Sequence, residues 1–365
     1  MKHIDEYRDK DLAASLSARI RTCVSRPWKL MEICGGQTHS IMKYGLTELL
    51  PEEITMIHGP GCPVCVTPAA SIEQAIVLAG MEGKILTSFG DMLRVPGISG
   101  DLLSARSRGA DVRMVYSPLD ALKIAGENPD REVIFFAVGF ETTAPTVALT
   151  VKEARRKELT NFSVLVSHVL VPPAMKALLS DPEMQIDGFL AAGHVCTVTG
   201  WREYIPIAEK YRIPIVVTGF EPVDILLGIL RCTELLEQGK TGVINAYTRS
   251  VKEKGNTGAM ALMKEVFEVS DRNWRGIGTL PLSGLSLRKE YTCFDACKRF
   301  GLKEIREEEG KPCVAGEILM GKKKPPECPS FGLDCKPEHP LGAPMVSSEG
   351  ACAAYYRYQS IKTGK

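Results

Sequence analysis

The sequence has 365 residues, and its 45 Lys and Arg residues almost balance its 44 Asp and Glu residues, for a net charge of +1. This length is sufficient for two or three domains with their own cores. The chain has no basic stripe that would predict a nucleic-acid partner, and no apolar run long enough to cross a membrane. Residues 1–12 do not resemble a secretory signal, so we expect the twelve cysteines to be metal ligands or redox thiols in the reducing cytoplasm.

Residues 1–28 predict an amphipathic N-terminal helix, which we expect to pack on the C-terminal domain. A short strand over 29–33 then leads into Cys-Gly-Gly-Gln-Thr-His at 34–39 and a helix to about residue 50. The two glycines permit a sharp turn. Cys34 is therefore expected where a strand ends and a helix begins, which is the edge at which α/β sheets bind ligands.

A second cysteine turn, His-Gly-Pro-Gly-Cys-Pro-Val-Cys at 58–65, lies between an apolar run and a helix-like segment over 69–79. The N–H groups and dipole of a helix N-terminus favour thiolate over thiol. Cys62 and Cys65 can therefore bind a soft metal or cycle between dithiol and disulfide. Half of a structural zinc site, or two inert buried thiols, are the alternatives.

Two further strands, over 84–88 and 112–116, complete a first α/β domain at 29–118 with a mostly parallel sheet. Four apolar runs between 133 and 218 predict a second Rossmann-like domain at 119–240. The polar side chains that follow these strands are weaker candidates for lining the cleft: Asp91, Glu141, His168, His194 and Glu221. Capping and loop hydrogen bonds would explain each of them separately. No glycine-rich nucleotide-binding motif follows any strand.

The region 241–365 is rich in Gly, Pro and Lys and predicts a smaller, irregular and partly helical domain. Such a segment buries little apolar surface and needs another constraint to be ordered. Four cysteines can supply it: Cys313, Cys328, Cys335 and Cys352. Their spacing matches neither common ferredoxin pattern, and it leaves zinc and an iron–sulfur cluster equally open, with disulfides a weaker option. The spacing assigns no role to Cys293 and Cys297.

The combination of the two cysteine turns with the C-terminal quartet resembles the HypD family of [NiFe]-hydrogenase maturation proteins. The likeness extends to Phe-Gly-Asp at 89–91, to 139–143, to 219–222, and to Met-Val-Ser-Ser-Glu-Gly-Ala-Cys at 345–352. It spans essentially the whole chain. The resemblance implies that the quartet holds a [4Fe–4S] cluster, which would make 241–365 an iron–sulfur domain.

The resemblance also implies a scaffold on which the Fe(CN)2CO group of the hydrogenase is assembled. Cys34, Cys62 and Cys65 would bind the iron, and His39 would donate a hydrogen bond or carry a proton beside them. A small partner of the HypC family would share the iron, a HypE-family protein would deliver cyanide, and the cluster would supply electrons to the Cys62–Cys65 pair.

Two other functions remain open at this stage. One is an iron–sulfur-dependent protein disulfide reductase, which needs Cys62, Cys65 and the quartet but assigns nothing to Cys34. The other is a zinc-stapled binding module without redox chemistry. The scaffold hypothesis depends on one geometric expectation, namely that the sulfur atoms of the two turns meet in one groove.

Overall fold

The computed structural model describes residues 5–303, 305 and 313–362. Within these residues the strands are β1 Trp28–Glu32, β2 Ile54–His58, β3 Lys84–Ser88, β4 Val112–Met114, β5 Glu132–Gly139, β6 Phe162–His168, β7 Gly188–Ala192, β8 Pro214–Thr218, β9 Gly242–Asn245, β10 Phe267–Trp274 and β11 Gly278–Leu287. The helices are α1 Lys10–Cys23, α2 Gly35–Lys43, α3 Leu46–Leu49, α4 Pro63–Val66, α5 Ala69–Ala79, α6 Leu102–Ser107, α7 Pro118–Glu127, α8 Ala144–Arg156, α9 Val171–Ser180, α10 Gly193–Thr199, α11 Ile205–Tyr211, α12 Pro222–Glu237, α13 Thr257–Val266, α14 Ala296–Arg299, α15 Ala315–Leu319 and α16 Ala351–Lys362.

Two parallel sheets carry the structure, as the sequence predicted for an α/β protein. The first sheet has five strands in the order β2-β1-β7-β8-β9, and the second has four in the order β4-β3-β5-β6. All neighbouring strands in both sheets run parallel. The hairpin β10-β11 is antiparallel and lies outside both sheets. Helices connect the parallel strands, because a parallel pair requires a crossover.

The sheets divide the chain differently from the boundary predicted near residue 118. After β1 and β2 the chain leaves the first sheet, builds the whole second sheet from β3 to β6, and returns to the first sheet with β7. Residue 118 lies inside the second unit, at the start of α7. Strand patterns indicate where strands lie but not which sheet each one joins, so the sequence alone did not reveal this interleaving.

The N-terminal helix packs on α12 and the first sheet, whereas the sequence predicted that it would pack on the C-terminal domain. The buried residues of α1 are Ala13, Leu16, Ser17 and Ile20, which lie on one helical face. Three of them belong to the apolar cluster that also contains Leu226, Ile229 and Leu230 of α12. Ahead of α1, Arg8 pairs with Glu221 at 2.5 Å. The first four residues of the predicted helix lie outside the described part of the chain.

The C-terminal segment is irregular and lies against α2. Its apolar cluster includes Ile318, Met345 and Cys352, and Ala354 and Tyr355 of α16 pack on Met42 of α2. No helix in the described ranges is both long and apolar enough to span a membrane. This docking places the cysteine quartet beside the unit that carries Cys34.

The turns after β1 and β2 are locked together through their backbones. The two strands pair in register with Glu32 opposite His58. Beyond them, the Gly35 N–H donates to the Gly61 carbonyl at 2.9 Å. A Cβ atom at Gly61 would overlap the backbone of Cys34, so this close approach requires glycine. The parallel register therefore brings the two predicted cysteine turns into direct contact.

Replacing Gly61 by alanine should separate the two turns and destabilise the protein by about 3 kcal/mol, because the obstructing atoms belong to the backbone and cannot rotate away. Gly126 of α7 is the matched control, since nothing lies within 4 Å of a Cβ added there. Gly126→Ala should change stability by no more than about 1 kcal/mol. Urea unfolding measures both, and equal midpoints for the two variants would contradict the contact.

Candidate functional site

Cys34 lies buried at the carboxyl edge of the first sheet, and we use the word recess for the group of side chains that surrounds its sulfur. It caps the N-terminus of α2 with an extended backbone, and the residue is 1% exposed. Its Sγ atom lies 3.6 Å from Nδ1 of His194, which follows β7. The His194 ring packs on Phe220, with ring centroids 5.2 Å apart, and Phe220 also lies over Gly36. Residues from three strand ends therefore surround one free thiol.

Burial decides the protonation of Cys34. Desolvation raises the pKa of the thiol well above its usual value, and the negative charges of Glu349 and Glu32 add to the effect. Backbone hydrogen bonds from Gln37 and Gly36 act in the opposite direction and do not outweigh the burial. Although Cys34 also lies at a helix N-terminus, burial therefore favours the thiol over the thiolate in the free protein. A bound cation would supply the missing compensation.

Cys62 and Cys65 form a disulfide in the structure. Their Cα atoms are 5.2 Å apart, and they are 3% and 0% exposed. Both belong to the apolar cluster that contains Cys34. No set of three or more His, Cys, Asp or Glu side chains among the described residues is arranged to hold a metal ion. The expected site, in which three sulfur atoms bind one iron, is thus not formed in this structure, and Cys34 is the free thiol of the recess.

A buried carboxylate supports the Cys34 turn, and the sequence analysis missed it. Glu32 is 0% exposed and accepts hydrogen bonds from the Cys34 N–H at 2.9 Å, from His58 Nδ1 at 2.7 Å, and from the Thr38 hydroxyl. Nε2 of His58 lies 3.1 Å from the Tyr355 hydroxyl of α16. The available signal was an ionisable residue at the end of each of two successive apolar strands.

His39 does not have the predicted place beside the Cys34 sulfur. Its Nδ1 atom lies 3.0 Å from the Ser348 carbonyl, and its Nε2 atom lies 3.2 Å from the Tyr358 hydroxyl. His39 follows Cys34 by five residues, and the turn of α2 over this distance directs its side chain toward the C-terminal segment. The imidazole near the thiol is His194, which the sequence ranked only among the weaker candidates.

Three of those weaker candidates form hydrogen bonds or ion pairs with side chains next to them in space. Glu221 caps α12 and takes two hydrogen bonds from Arg8, at 2.5 and 2.9 Å. His168 is fully buried, with Nε2 3.1 Å from the Thr143 hydroxyl, and burial lowers its pKa to about 3. Asp91 lies 3.8 Å from Arg94 of the loop after β3.

Glu349, which the sequence analysis did not single out, lies beside the Cys34 turn. Desolvation raises the pKa of Glu349, and the charge of Asp91 raises it further. Glu349 in turn packs against Gly35 and adds negative potential at the Cys34 thiol. Glu349 thus places an acidic side chain beside the Cys34 turn from the C-terminal segment.

Glu141 lies at a separate cavity of about 410 Å³ between α9, α13 and the hairpin β10-β11. It is 2% exposed, and Oε1 accepts the Val171 N–H at 2.9 Å. Its Oε2 atom is buried without a hydrogen-bond partner. Burial raises the pKa of Glu141 to about 8, so the side chain is mostly protonated at neutral pH.

The four C-terminal cysteines come together. Cys335 and Cys352 are 7% and 8% exposed, and Cys313 and Cys328 are half-buried. Burial raises the pKa of Cys352, and the charges of the other three cysteines raise it further. The sulfur of Cys335 accepts the Leu341 N–H at 3.4 Å. The group offers four sulfur donors, as a [4Fe–4S] cluster requires, so its donor chemistry suits that cofactor, although the described side chains are not arranged around a metal ion.

Replacing Glu141 by glutamine should flatten the dependence of the protein's stability on pH between 4.5 and about 8. The folded pKa of about 8 lies above the ordinary value of 4.5, so the wild type loses stability as the pH rises from 4.5 through 8, on the order of a few kcal/mol. Glutamine stays neutral and still accepts from Val171. Urea unfolding at pH 5, 7 and 9 tests this, and parallel profiles for the two proteins would contradict it.

Comparison with known proteins identifies the family of the chain. The model of the HypD family, described as the hydrogenase formation hypA family, matches residues 11–359. The hydrogenase maturation factor HypD of Azotobacter vinelandii is 49% identical over 98% of this chain and 97% of its own. The factors of Rhodobacter capsulatus and Escherichia coli K12 are 47% and 44% identical, over 100% and 98% of both chains respectively. The resemblance drawn from the cysteine motifs is confirmed: the chain belongs to the HypD family of hydrogenase maturation factors.

Proposed function

We propose that this maturation factor is the scaffold on which the Fe(CN)2CO group is assembled, with Cys34 as the protein ligand of the iron. The observation that carries the proposal is a single free thiol, buried at the carboxyl edge of a parallel sheet, beside an imidazole and next to a disulfide turn. The iron with its cyanide and carbonyl ligands is the substrate of this site.

The chemistry of the recess suits iron capture. Low-spin iron with cyanide and carbonyl ligands is soft, and thiolate is a suitable donor for it. Because burial raises the pKa of Cys34, the thiol keeps its proton until a cation arrives. Burial also lowers the pKa of His194 to about 4, so at neutral pH the ring is uncharged and Nδ1 can accept the thiol's hydrogen. Metal binding and proton release are thus coupled at Cys34.

The Cys62–Cys65 disulfide gives the same recess a redox function. Its reduction takes two electrons and two protons, breaks the S–S bond and leaves two thiols. These thiols lie in the turn that touches Cys34, where they can complete the sulfur set around the iron or reduce a bound partner. The resting disulfide therefore keeps the second turn out of iron binding until a reductant acts.

The C-terminal quartet would hold the resident cofactor. Cys313, Cys328, Cys335 and Cys352 would each bind one iron of a [4Fe–4S] cluster, which when bound supplies electrons one at a time. Gly342 permits the close packing there, because a Cβ atom at this position would overlap the Cys313 sulfur. We also expect a HypC-family protein to share the iron, a HypE-family protein to donate cyanide, and the cytoplasm to be the compartment.

The disulfide itself supports a second candidate function, an iron–sulfur-dependent protein disulfide reductase. In that case Cys62 and Cys65 exchange with a partner disulfide, and Cys34 is dispensable. The two functions differ in what they require of Cys34, and one variant separates them.

Replacing Cys34 by alanine should abolish iron retention in the anaerobically purified complex with the HypC-family partner, because the free thiol of the recess is lost. Infrared spectra of the wild-type complex should show cyanide and carbonyl stretching bands, and the variant should lack them. Cys293→Ser is the control, since Cys293 is an exposed free cysteine, and it should retain both bands. Unchanged bands in Cys34→Ala would contradict the scaffold, and disulfide turnover by that variant would favour the reductase.

Replacing Cys328 by serine should abolish the brown colour and lower the bound iron and sulfide after anaerobic reconstitution, because the quartet loses one of its four donors. Cys328 is half-buried, so the change perturbs packing less than a change at Cys352. Iron, sulfide and zinc analysis of both proteins measures the effect. A colourless wild type that holds zinc at these four cysteines would contradict the iron–sulfur assignment.

A further inference from the structure

A continuous chain of buried hydrogen bonds runs from the C-terminal helix to the backbone of Cys34. The Tyr355 hydroxyl lies 3.1 Å from His58 Nε2, His58 Nδ1 lies 2.7 Å from one oxygen of Glu32, and the other oxygen accepts the Cys34 N–H at 2.9 Å. Glu32 is 0% exposed, and His58 and Tyr355 are each 6% exposed. Hydrogen bonds in such a water-poor setting are strong and hold their partners in one geometry.

The polarity of this chain is defined by its chemistry. The Glu32 carboxylate accepts from all three of its partners, so His58 Nδ1 carries a hydrogen. The Nε2 atom of a neutral His58 ring then accepts from Tyr355. Burial raises the pKa of Tyr355 to about 12, which keeps the hydroxyl protonated and able to donate. Each group therefore has one hydrogen-bonding role. A displacement at one end of the chain cannot be relieved by a change of hydrogen-bond partner.

The two ends of the chain are the two chemical centres. Tyr355 lies on α16 three residues after Cys352, and its ring meets the His58 ring edge-on with centroids 5.4 Å apart. At the other end, the Cys34 N–H belongs to the residue whose sulfur is the free thiol of the recess. Packed interiors transmit small displacements and do not absorb them.

We propose that Glu32, His58 and Tyr355 are positioning residues that couple the placement of α16, and with it the cysteine quartet, to the reactivity of the Cys34 thiol. The coupling rests on the proposed function only for its biological role. Its first readout, the reactivity of the Cys34 thiol, is measured without iron. In this arrangement the state of the quartet segment sets how tightly the Cys34 turn is held. Neither Glu32, His58 nor Tyr355 touches the sulfur.

The molecule contains a matched control. Tyr358 lies one helical turn after Tyr355 on α16 and contacts His39 of α2, with a hydroxyl-to-Nε2 distance of 3.2 Å and ring centroids 5.4 Å apart. The second pair thus has nearly the same geometry, with its tyrosine on the same helix, although His39 lies on α2 and His58 ends β2. His39 is not a member of the Glu32–His58–Tyr355 chain, so Tyr358→Phe removes a similar hydrogen bond from α16 without cutting that chain.

The test measures the alkylation rate of Cys34 by iodoacetamide in the folded, full-length protein, with the Cys34 peptide quantified by mass spectrometry. Tyr355→Phe should accelerate alkylation about threefold or more, because the turn that buries the sulfur is held less tightly. Tyr358→Phe should leave the rate within about 1.5-fold of the wild type on the same reasoning. Urea unfolding of each variant confirms that the protein remains folded.

Substitutions at His58 identify which of its two hydrogen bonds couples α16 to the Cys34 turn. Asparagine places an amide nitrogen near the former Nδ1 and keeps the bond to Glu32, whereas glutamine reaches the former Nε2 and keeps the contact with Tyr355. His58→Asn should therefore behave as Tyr355→Phe does. Combining His58→Asn with Tyr355→Phe should give no more than either change alone, because both cut the same link.

Three results would overturn the proposal: equal rates for Tyr355→Phe and Tyr358→Phe, an unchanged rate in Tyr355→Phe, or multiplying effects in the double variant. In the iron-loaded complex, Tyr355→Phe should also shift the cyanide and carbonyl bands without abolishing them. Failure of the scaffold function would appear as retained bands in Cys34→Ala and would leave the alkylation result intact. The two ideas therefore fail separately.

Discussion

The pair formed by Glu32 and His58 is the interaction on which the rest of the site depends. These residues end β1 and β2 opposite each other, so their hydrogen bond of 2.7 Å is made where the two strands stop and the two cysteine turns begin. A fully buried carboxylate is costly unless its oxygens are satisfied. Glu32 meets that cost with donors from the Cys34 backbone, from Thr38 and from His58. Satisfying one buried charge therefore fixes the position of Cys34.

The interleaved topology supplies the remaining parts of the recess. Because the chain leaves the first sheet after β2 and returns with β7 and β8, His194 and Phe220 reach Cys34 from segments far away in sequence. The C-terminal segment then closes the arrangement by placing Glu349 against Gly35 and Tyr355 against His58. The relative positions of the free thiol, the disulfide and the quartet thus depend on three separate stretches of chain that pack on the strand pair β1-β2.

Sequence reasoning identified the α/β class, because apolar runs followed by turns predict parallel strands with crossovers. It also located Cys34 and Cys62 at strand ends, since the apolar runs stop there and the glycines beside them permit sharp turns. It did not predict sheet membership or the partner of α1, because those depend on long-range pairing that no local pattern specifies. The Glu32–His58–Tyr355 chain was missed for the same reason: its members are spread from residue 32 to residue 355.

Burial and helix geometry determine what surrounds the Cys34 sulfur. Cys34 lies at a helix N-terminus, but the cost of burying a charge exceeds what two backbone hydrogen bonds return, so the thiol is favoured. His39 was expected beside Cys34 because it is near in sequence. On a helix, however, a residue five positions on points to a different side, and a distant strand end supplied the imidazole instead.

The central claim is that the two cysteine turns open into one recess. The most direct measurement is to reduce the native protein, treat it anaerobically with a short bifunctional thiol reagent and map the bridged peptides by mass spectrometry. The account predicts a bridge between Cys34 and Cys62 or Cys65, and its loss in Gly61→Ala. Single modification of Cys34 with bridges only between Cys62 and Cys65 would contradict it.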